Sequence, residues 1–106
     1  MAKFLLLYEG GGMPESEAEG KAVMAAWMAW FGRLGAAVVD GGNPIGPAAR
    51  SIAPDGRVSE ARAGSTPTGY SILEADSLDR AVEMAKGCPH LSAGGTVVVT
   101  ETFPAM

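Results

Sequence analysis

Gly69-Tyr70-Ser71-Ile72-Leu73-Glu74, then Ser77 to Gly87, then Cys88-Pro89-His90, then Gly94-Gly95-Thr96-Val97-Val98-Val99-Thr100-Glu101 make up most of the last third of the chain. By periodicity they are a strand, a helix, a short polar turn and a strand, a β-α-β unit. Tyr70, Ile72 and Glu74 alternate with Ser71, Leu73 and Ala75, so the first strand offers apolar side chains on both faces. Asp76 and Ser77 supply an N-cap, Asp79 adds early negative charge, and Lys86 sits in the last turn, matching the helix dipole at both ends. Leu78, Ala81, Val82 and Ala85 make the predicted buried stripe; Gly87 stops the helix and Pro89 prevents it from resuming. Gly94-Gly95 turns the chain into a strand over Thr96 to Phe103, whose valines suit cover on both sides. The unit also carries the one histidine, His90, and the one cysteine, Cys88.

The first half of the chain holds one long helix. Pro14 precedes Ser16-Glu17-Ala18-Glu19, a capping-box pattern. From there Val23, Trp27, Trp30, Phe31 and Leu34 recur at helical spacing, Met24 and Met28 widen the stripe, and Gly35 closes it. Two tryptophans and a phenylalanine within two turns are first of all core residues, each worth roughly 1.5–3 kcal/mol or more on burial. Ala36 to Asp40 returns as a second strand, broken by Gly41-Gly42-Asn43-Pro44. Ala49 to Ala53 and Arg57 to Ala61 read as short strands joined by Pro54-Asp55-Gly56, a hairpin or excursion near the sheet edge, and Gly64-Ser65-Thr66-Pro67 as loop.

The order Gly69-Tyr70-x-Ile72-x-Glu74-x-x-Ser77-Leu78-Asp79-x-Ala81, followed by Ala85-x-x-Cys88-Pro89-His90 and Gly94-Gly95-x-Val97-x-Val99, resembles the YCII-related proteins, in particular the branch named after a DGPF tetrapeptide. Lys3-Phe4-Leu5-Leu6-Leu7-Tyr8 is similar to that family's first strand, and Trp27 to Gly35 to the end of its first helix. The resemblance spans nearly the whole chain. It implies an α+β fold, a ferredoxin-like β-α-β-β-α-β subunit that pairs into a dimeric α+β barrel. The founding members carry a histidine in the first helix region and an aspartate before the proline of an Asp-Pro pair. Here the first helix has no histidine, the residue before Pro89 is Cys88, and the DGPF tetrapeptide is absent, so the resemblance does not bring that pair's chemistry with it.

Composition points to one domain over residues 1–106, within the usual domain size and without internal repeats or linkers. Eight basic against 12 acidic residues give a net charge of −4, which argues against nucleic acid as a partner. Hydrophobic residues make up 47%, too many for a disordered chain. No apolar run long enough for a membrane span and no secretory signal appear, and one cysteine cannot form an internal disulfide, so a cytoplasmic protein is the simplest expectation. On the first strand Phe4, Leu6 and Tyr8 point to one side, Leu5 and Leu7 to the other. Helices cover one sheet face, and the opposite face predicts a homodimer packed sheet against sheet.

No complete catalytic constellation stands in the sequence. His90 follows Cys88-Pro89 at a helix end, a place for a pocket rim or for a helix-capping histidine. Cys88 and His90 fall short of the three or four protein ligands that zinc takes, and no metal or other cofactor is expected. A thiol nucleophile would require the two side chains to converge across Pro89. Asp40, at the end of an apolar strand, can act as a general base if burial raises its pKa, or can cap the following turn. Glu9-Gly10-Gly11-Gly12 lacks the spacing of a phosphate loop and has glutamates around it. A small-molecule cleft is expected between the first helix and the sheet, lined by Trp27, Trp30 or Phe31 and reached by Tyr8, Asp40, Tyr70 and His90. Two readings stand: a homodimeric protein that binds a small hydrophobic ligand or serves a partner, or a cofactor-independent isomerase, hydrolase or monooxygenase-like enzyme using His90 with a carboxylate such as Asp40.

Overall fold

Strand β1 (Ala2–Gly10) runs through the middle of the sheet because its alternate residues Phe4, Leu6 and Tyr8 are all buried on one face. In the computed structural model, which describes residues 1–61 and 67–104, the chain continues through helix α1 (Glu17–Leu34), a 3₁₀ turn over Gly35–Ala37 and strand β2 (Val38–Asp40). A hairpin, β3 (Arg50–Ile52) and β4 (Val58–Glu60), precedes strand β5 (Gly69–Ala75), helices α2 (Leu78–Ala85) and α3 (Pro89–Ser92), and strand β6 (Gly95–Glu101). The four long-range strands lie in the order β2-β5-β1-β6, all antiparallel. With the hairpin set aside this is the ferredoxin-like α+β arrangement, in which β5 and β6 flank β1 on either side. Among the described residues no helix is long and apolar enough to cross a membrane.

Phe4, Leu6, Tyr8, Leu73, Ala75, Trp30, Ala81, Ala85 and Cys88 form the core, with Trp27, Phe31, Val97 and Val99 packed against it. Burying each of the large apolar side chains stabilises the fold by about 1.5–3 kcal/mol. The opposite sheet face carries Leu5, Leu7, Tyr70, Ile72 and Val98, brought together by the pairs Leu5↔Ile72, Leu7↔Tyr70 and Leu7↔Val98.

Several elements depart from their sequence expectation. Met24 and Met28 are 64% and 70% exposed rather than part of a buried stripe. Residues 17–26 are exposed except for Gly20, so only the second half of α1, from Trp27 on, meets the sheet. On α2 the small Ala81 and Ala85 are buried and let the helix approach closely, which leaves Leu78 and Val82 at its flanks, exposed. The second strand keeps only Val38–Asp40, because Ala36 and Ala37 belong to the 3₁₀ turn. Cys88-Pro89-His90 is not a plain turn but the entry to α3, with proline in its first turn. β6 begins at Gly95, ends at Glu101 and is an edge strand: Val97 and Val99 are half-buried against the core, and Val98, on the other face beside Leu7, is exposed. The hairpin does not join the main sheet at its edge: it is a separate two-stranded sheet with every residue exposed. Of the loop expected over 64–67, residues 64–66 lie outside the described ones.

The local signals that did form are specific. Ser16 Oγ accepts from the Glu19 N–H at 3.0 Å, while the Glu19 carboxylate takes the Glu15 N–H at 3.4 Å instead of closing the box on Ser16. Ser77 Oγ accepts from the Arg80 N–H at 3.1 Å. In the hairpin turn the Gly56 N–H reaches the Ala53 carbonyl at 2.8 Å, closing a four-residue turn, and Gly56 adopts φ +87°, the left-handed region that glycine suits.

Candidate functional site

At the carboxyl end of β1 the alternation of the strand turns Tyr8 inward, opposite Gly69. A side chain on Gly69 would lie 3.3 Å from the Tyr8 ring, so the glycine makes the space the ring occupies. Two residues on, and on the same face, Ser71 is fully buried. The Tyr8 hydroxyl donates to Ser71 Oγ at 2.7 Å, and Ser71 Oγ donates to the Gly41 carbonyl at 2.7 Å. The chain of bonds satisfies both hydroxyls, which removes the cost of burying them.

Burial pushes the Tyr8 phenol well above its ordinary value, against the pull of the Ser71 hydroxyl. Tyr8 therefore stays neutral and donates. Cys88 is 2% exposed, and burial pushes its thiol up as well, with the His90 N–H and the Tyr8 hydroxyl pulling the other way. A nucleophilic cysteine needs a depressed pKa and access, and Cys88 has neither.

His90 is half-buried, with its ring tilted against Tyr8 at 5.4 Å between centroids. Its Nε2 lies 2.8 Å from the Glu9 carbonyl oxygen. A carbonyl only accepts, so Nε2 carries the proton and Nδ1 keeps its lone pair in the neutral ring. The imidazole occupies a cradle of two glycines: a Cβ on Gly11 would meet Cε1 at 2.7 Å, and one on Gly95 would collide with Nε2 and Cδ2.

On the helix side, Trp27 stands edge-on to Tyr8 at 5.2 Å and meets Phe31 at 5.7 Å. Tyr8, Trp27, Phe31 and His90 thus form one aromatic group over the end of the sheet. Trp30 packs against the same group, 5.7 Å from Trp27 and 5.1 Å from Phe31, but it is 1% exposed and its Nε1–H donates to the Met84 carbonyl at 3.0 Å. Tyr70 is on the other sheet face, paired with Leu7, and so lies apart from Tyr8. Asp40 is exposed, and its Oδ1 accepts from the Gly42 N–H at 2.8 Å, the turn-capping arrangement. Among the described residues no hydrogen bond joins Asp40 to His90, and no three His, Cys, Asp or Glu side chains gather as metal ligands.

The sequence reading missed Ser71, the Glu9 carbonyl and the two cradle glycines. Ser71 left one usable signal, a hydroxyl at a position that strand alternation groups with Leu73 and Ala75. The others are backbone features that no side-chain pattern announces.

No protein-family model matches the chain, and no curated protein does. Among solved structures it is similar to 5-chloro-2-hydroxyhydroquinone dehydrochlorinase (TftG) from Burkholderia phenoliruptrix AC1100, in complex with 2,5-dihydroxybenzoquinone. The two share 22% identity with a TM-score of 0.54, over 95% of this chain and 93% of that one. At that identity the likeness speaks to fold alone, and it agrees with the ferredoxin-like α+β arrangement of the sheet and helices.

Proposed function

We propose that this chain is a YCII-related protein of the DGPF branch, one domain over residues 1–106, that pairs with a second copy through its open sheet face. In this reading it binds a small planar ligand beside Trp27, Phe31 and His90. The observation that carries the binding reading is the aromatic group at the end of β1, where half-buried Trp27 and His90 lie against Tyr8 and half-buried Phe31 lies against Trp27. Partly exposed aromatic faces with a few fixed polar atoms suit a small ring. The solved relative with a dihydroxybenzoquinone supports the same ligand size. The dimer is supported by Leu5, Leu7, Tyr70, Ile72 and Val98, a contiguous apolar patch across three strands of the kind that marks an interface.

Binding is preferred to catalysis on specific grounds. The Asp40 carboxylate is engaged by Gly42 and the His90 Nε2–H by Glu9, so the carboxylate–imidazole pair that the enzyme reading needs is not assembled. Tyr8 and Cys88 are held neutral. The second reading, a cofactor-independent enzyme, draws its support from the relative being a dehydrochlorinase; it requires His90 to work without Asp40.

Two measurements test the proposal. Calorimetric titration with hydroquinone and with 2,5-dihydroxybenzoquinone, beside native mass spectrometry of the purified protein, should give saturable binding of a small ring. Trp27→Ala should weaken it about tenfold or more, the loss of an aromatic contact of about 1.5 kcal/mol. No retained ligand and no saturable binding would refute it. Sedimentation should give a dimer at micromolar concentration and a monomer for Leu7→Glu; a wild-type monomer would sink the dimer.

A further inference from the structure

His90 is more constrained than a surface histidine needs to be. Its Nε2–H is bonded to the Glu9 carbonyl, its ring lies against Tyr8, and the backbones of Gly11 and Gly95 close on its two edges. A flip of the imidazole about its own axis would exchange Nε2 for Cε1 at the Glu9 oxygen and forfeit that bond. The ring is therefore fixed in orientation and in tautomer, and Nδ1 has no hydrogen-bond partner among the described residues.

Resting on the ligand reading above, we propose that His90 Nδ1 is the fixed acceptor that selects the ligand. The compound held by the aromatic group is then a ring bearing a hydroxyl, a phenol or enol whose O–H donates to Nδ1. The neighbouring polar groups cannot take that part. The Tyr8 hydroxyl is turned inward to Ser71, Cys88 is buried, and the Asp40 carboxylate serves its own turn. Trp27 and Phe31 offer ring faces and no acceptor. A buried or half-buried acceptor discriminates because a ligand without the hydroxyl leaves it unpaired. Gly11 and Gly95 act as positioning residues for the imidazole, and a Cβ on Gly11 would come within 3.2 Å of Nδ1, so the glycine there also keeps that nitrogen open.

The chain has one histidine, so its ring nitrogens can be read without ambiguity by long-range nitrogen–proton correlation in the uniformly labelled protein. At a pH where the ring is neutral, the expected pattern is a protonated Nε2 and an unprotonated Nδ1; a protonated Nδ1, or an average of both tautomers, overturns the proposal. Phenol and anisole, which differ by the donor hydrogen, are then titrated calorimetrically. Wild type should favour phenol about tenfold, one well-formed hydrogen bond. That preference should vanish in His90→Ala and in His90→Phe, which keeps a ring in the glycine cradle, while anisole affinity changes little. Equal affinity for the two rings in wild type, or a preference that survives in His90→Phe, overturns the acceptor role and leaves the binding site standing. Binding of neither ring overturns both.

Discussion

Tyr8 carries its hydroxyl into the protein, where burial holds the phenol neutral far into alkaline solution. The sign follows from linkage. An unfolded tyrosine loses its proton near pH 10 and the native one later, so above about pH 10 the unfolded state binds fewer protons and stability falls, by up to about 1.4 kcal/mol per pH unit. Cys88, also raised by burial, contributes the same sign, so the comparison belongs in a Cys88→Ala background. At pH 8 Tyr8→Phe should cost about 1 kcal/mol in urea unfolding, the loss of the donor to Ser71. By pH 11 that gap should close or reverse, because phenylalanine has no proton to hold; a gap unchanged between the two would refute the buried-phenol account. Residue-level features of this sort were only partly legible in the sequence. Asp40 before glycine and the burial of Tyr8 on the same face as Phe4 and Leu6 follow from turn chemistry and alternation. The Tyr8–Ser71 and His90–Glu9 contacts join residues 63 and 81 positions apart, and one ends on a backbone carbonyl, so no local pattern reveals them.

Helix ends and tight turns are set by neighbours in sequence, and they are the elements most faithfully read from it. Ser16 and Ser77 cap their helices, and Pro54-Asp55-Gly56 turns its hairpin with the Arg57 N–H on the Asp55 carboxylate at 2.9 Å. Helical periodicity, by contrast, finds an apolar stripe without saying how much of its length meets a partner. On α1 the stripe is real over Trp27, Trp30, Phe31 and Leu34 and stops being buried toward Met24 and Met28. The consequence is a sharp contrast within one helix. Trp30→Ala should destabilise by about 3–5 kcal/mol, since it empties a fully buried site and removes the bond to Met84. Met28→Ala, at a position 70% exposed, should stay within about 0.5 kcal/mol. Denaturant unfolding of the two variants side by side measures it, and comparable losses would mean that the outer face of α1 is covered.

The whole-molecule topology was legible through the family resemblance, which implies a ferredoxin-like subunit, and the observed sheet agrees with it: each crossover passes over one face, and β1 fills the gap between β5 and β6. The hairpin was legible as strands and turn, yet not in its placement, since nothing in residues 50–60 fixes what they lie against. Both of its strands are exposed throughout, Ile52 is 73% exposed, and the Arg50–Glu60 and Arg57–Asp55 pairs are at the surface at 3.5 and 3.7 Å, where such pairs contribute little. An isolated two-stranded hairpin is marginal in water, so within one subunit this arm adds almost nothing to the core of Phe4, Leu6, Trp30 and Leu73. Ala49 and Ala61 already face each other at its base, with the Ala61 N–H on the Ala49 carbonyl at 3.4 Å. Replacing residues 50–60 with Asn-Gly should therefore leave the monomeric Leu7→Glu protein within about 1 kcal/mol of its parent, the shorter loop even offsetting part of any loss. In the wild-type background the same replacement reports on assembly. If the dimer dissociates at higher concentration without the arm, the hairpin rests on the second copy; if sedimentation is unchanged, the sheet face alone holds the pair. A loss of more than about 2 kcal/mol in the Leu7→Glu protein, well beyond what exposed residues supply, would contradict the exposed arm.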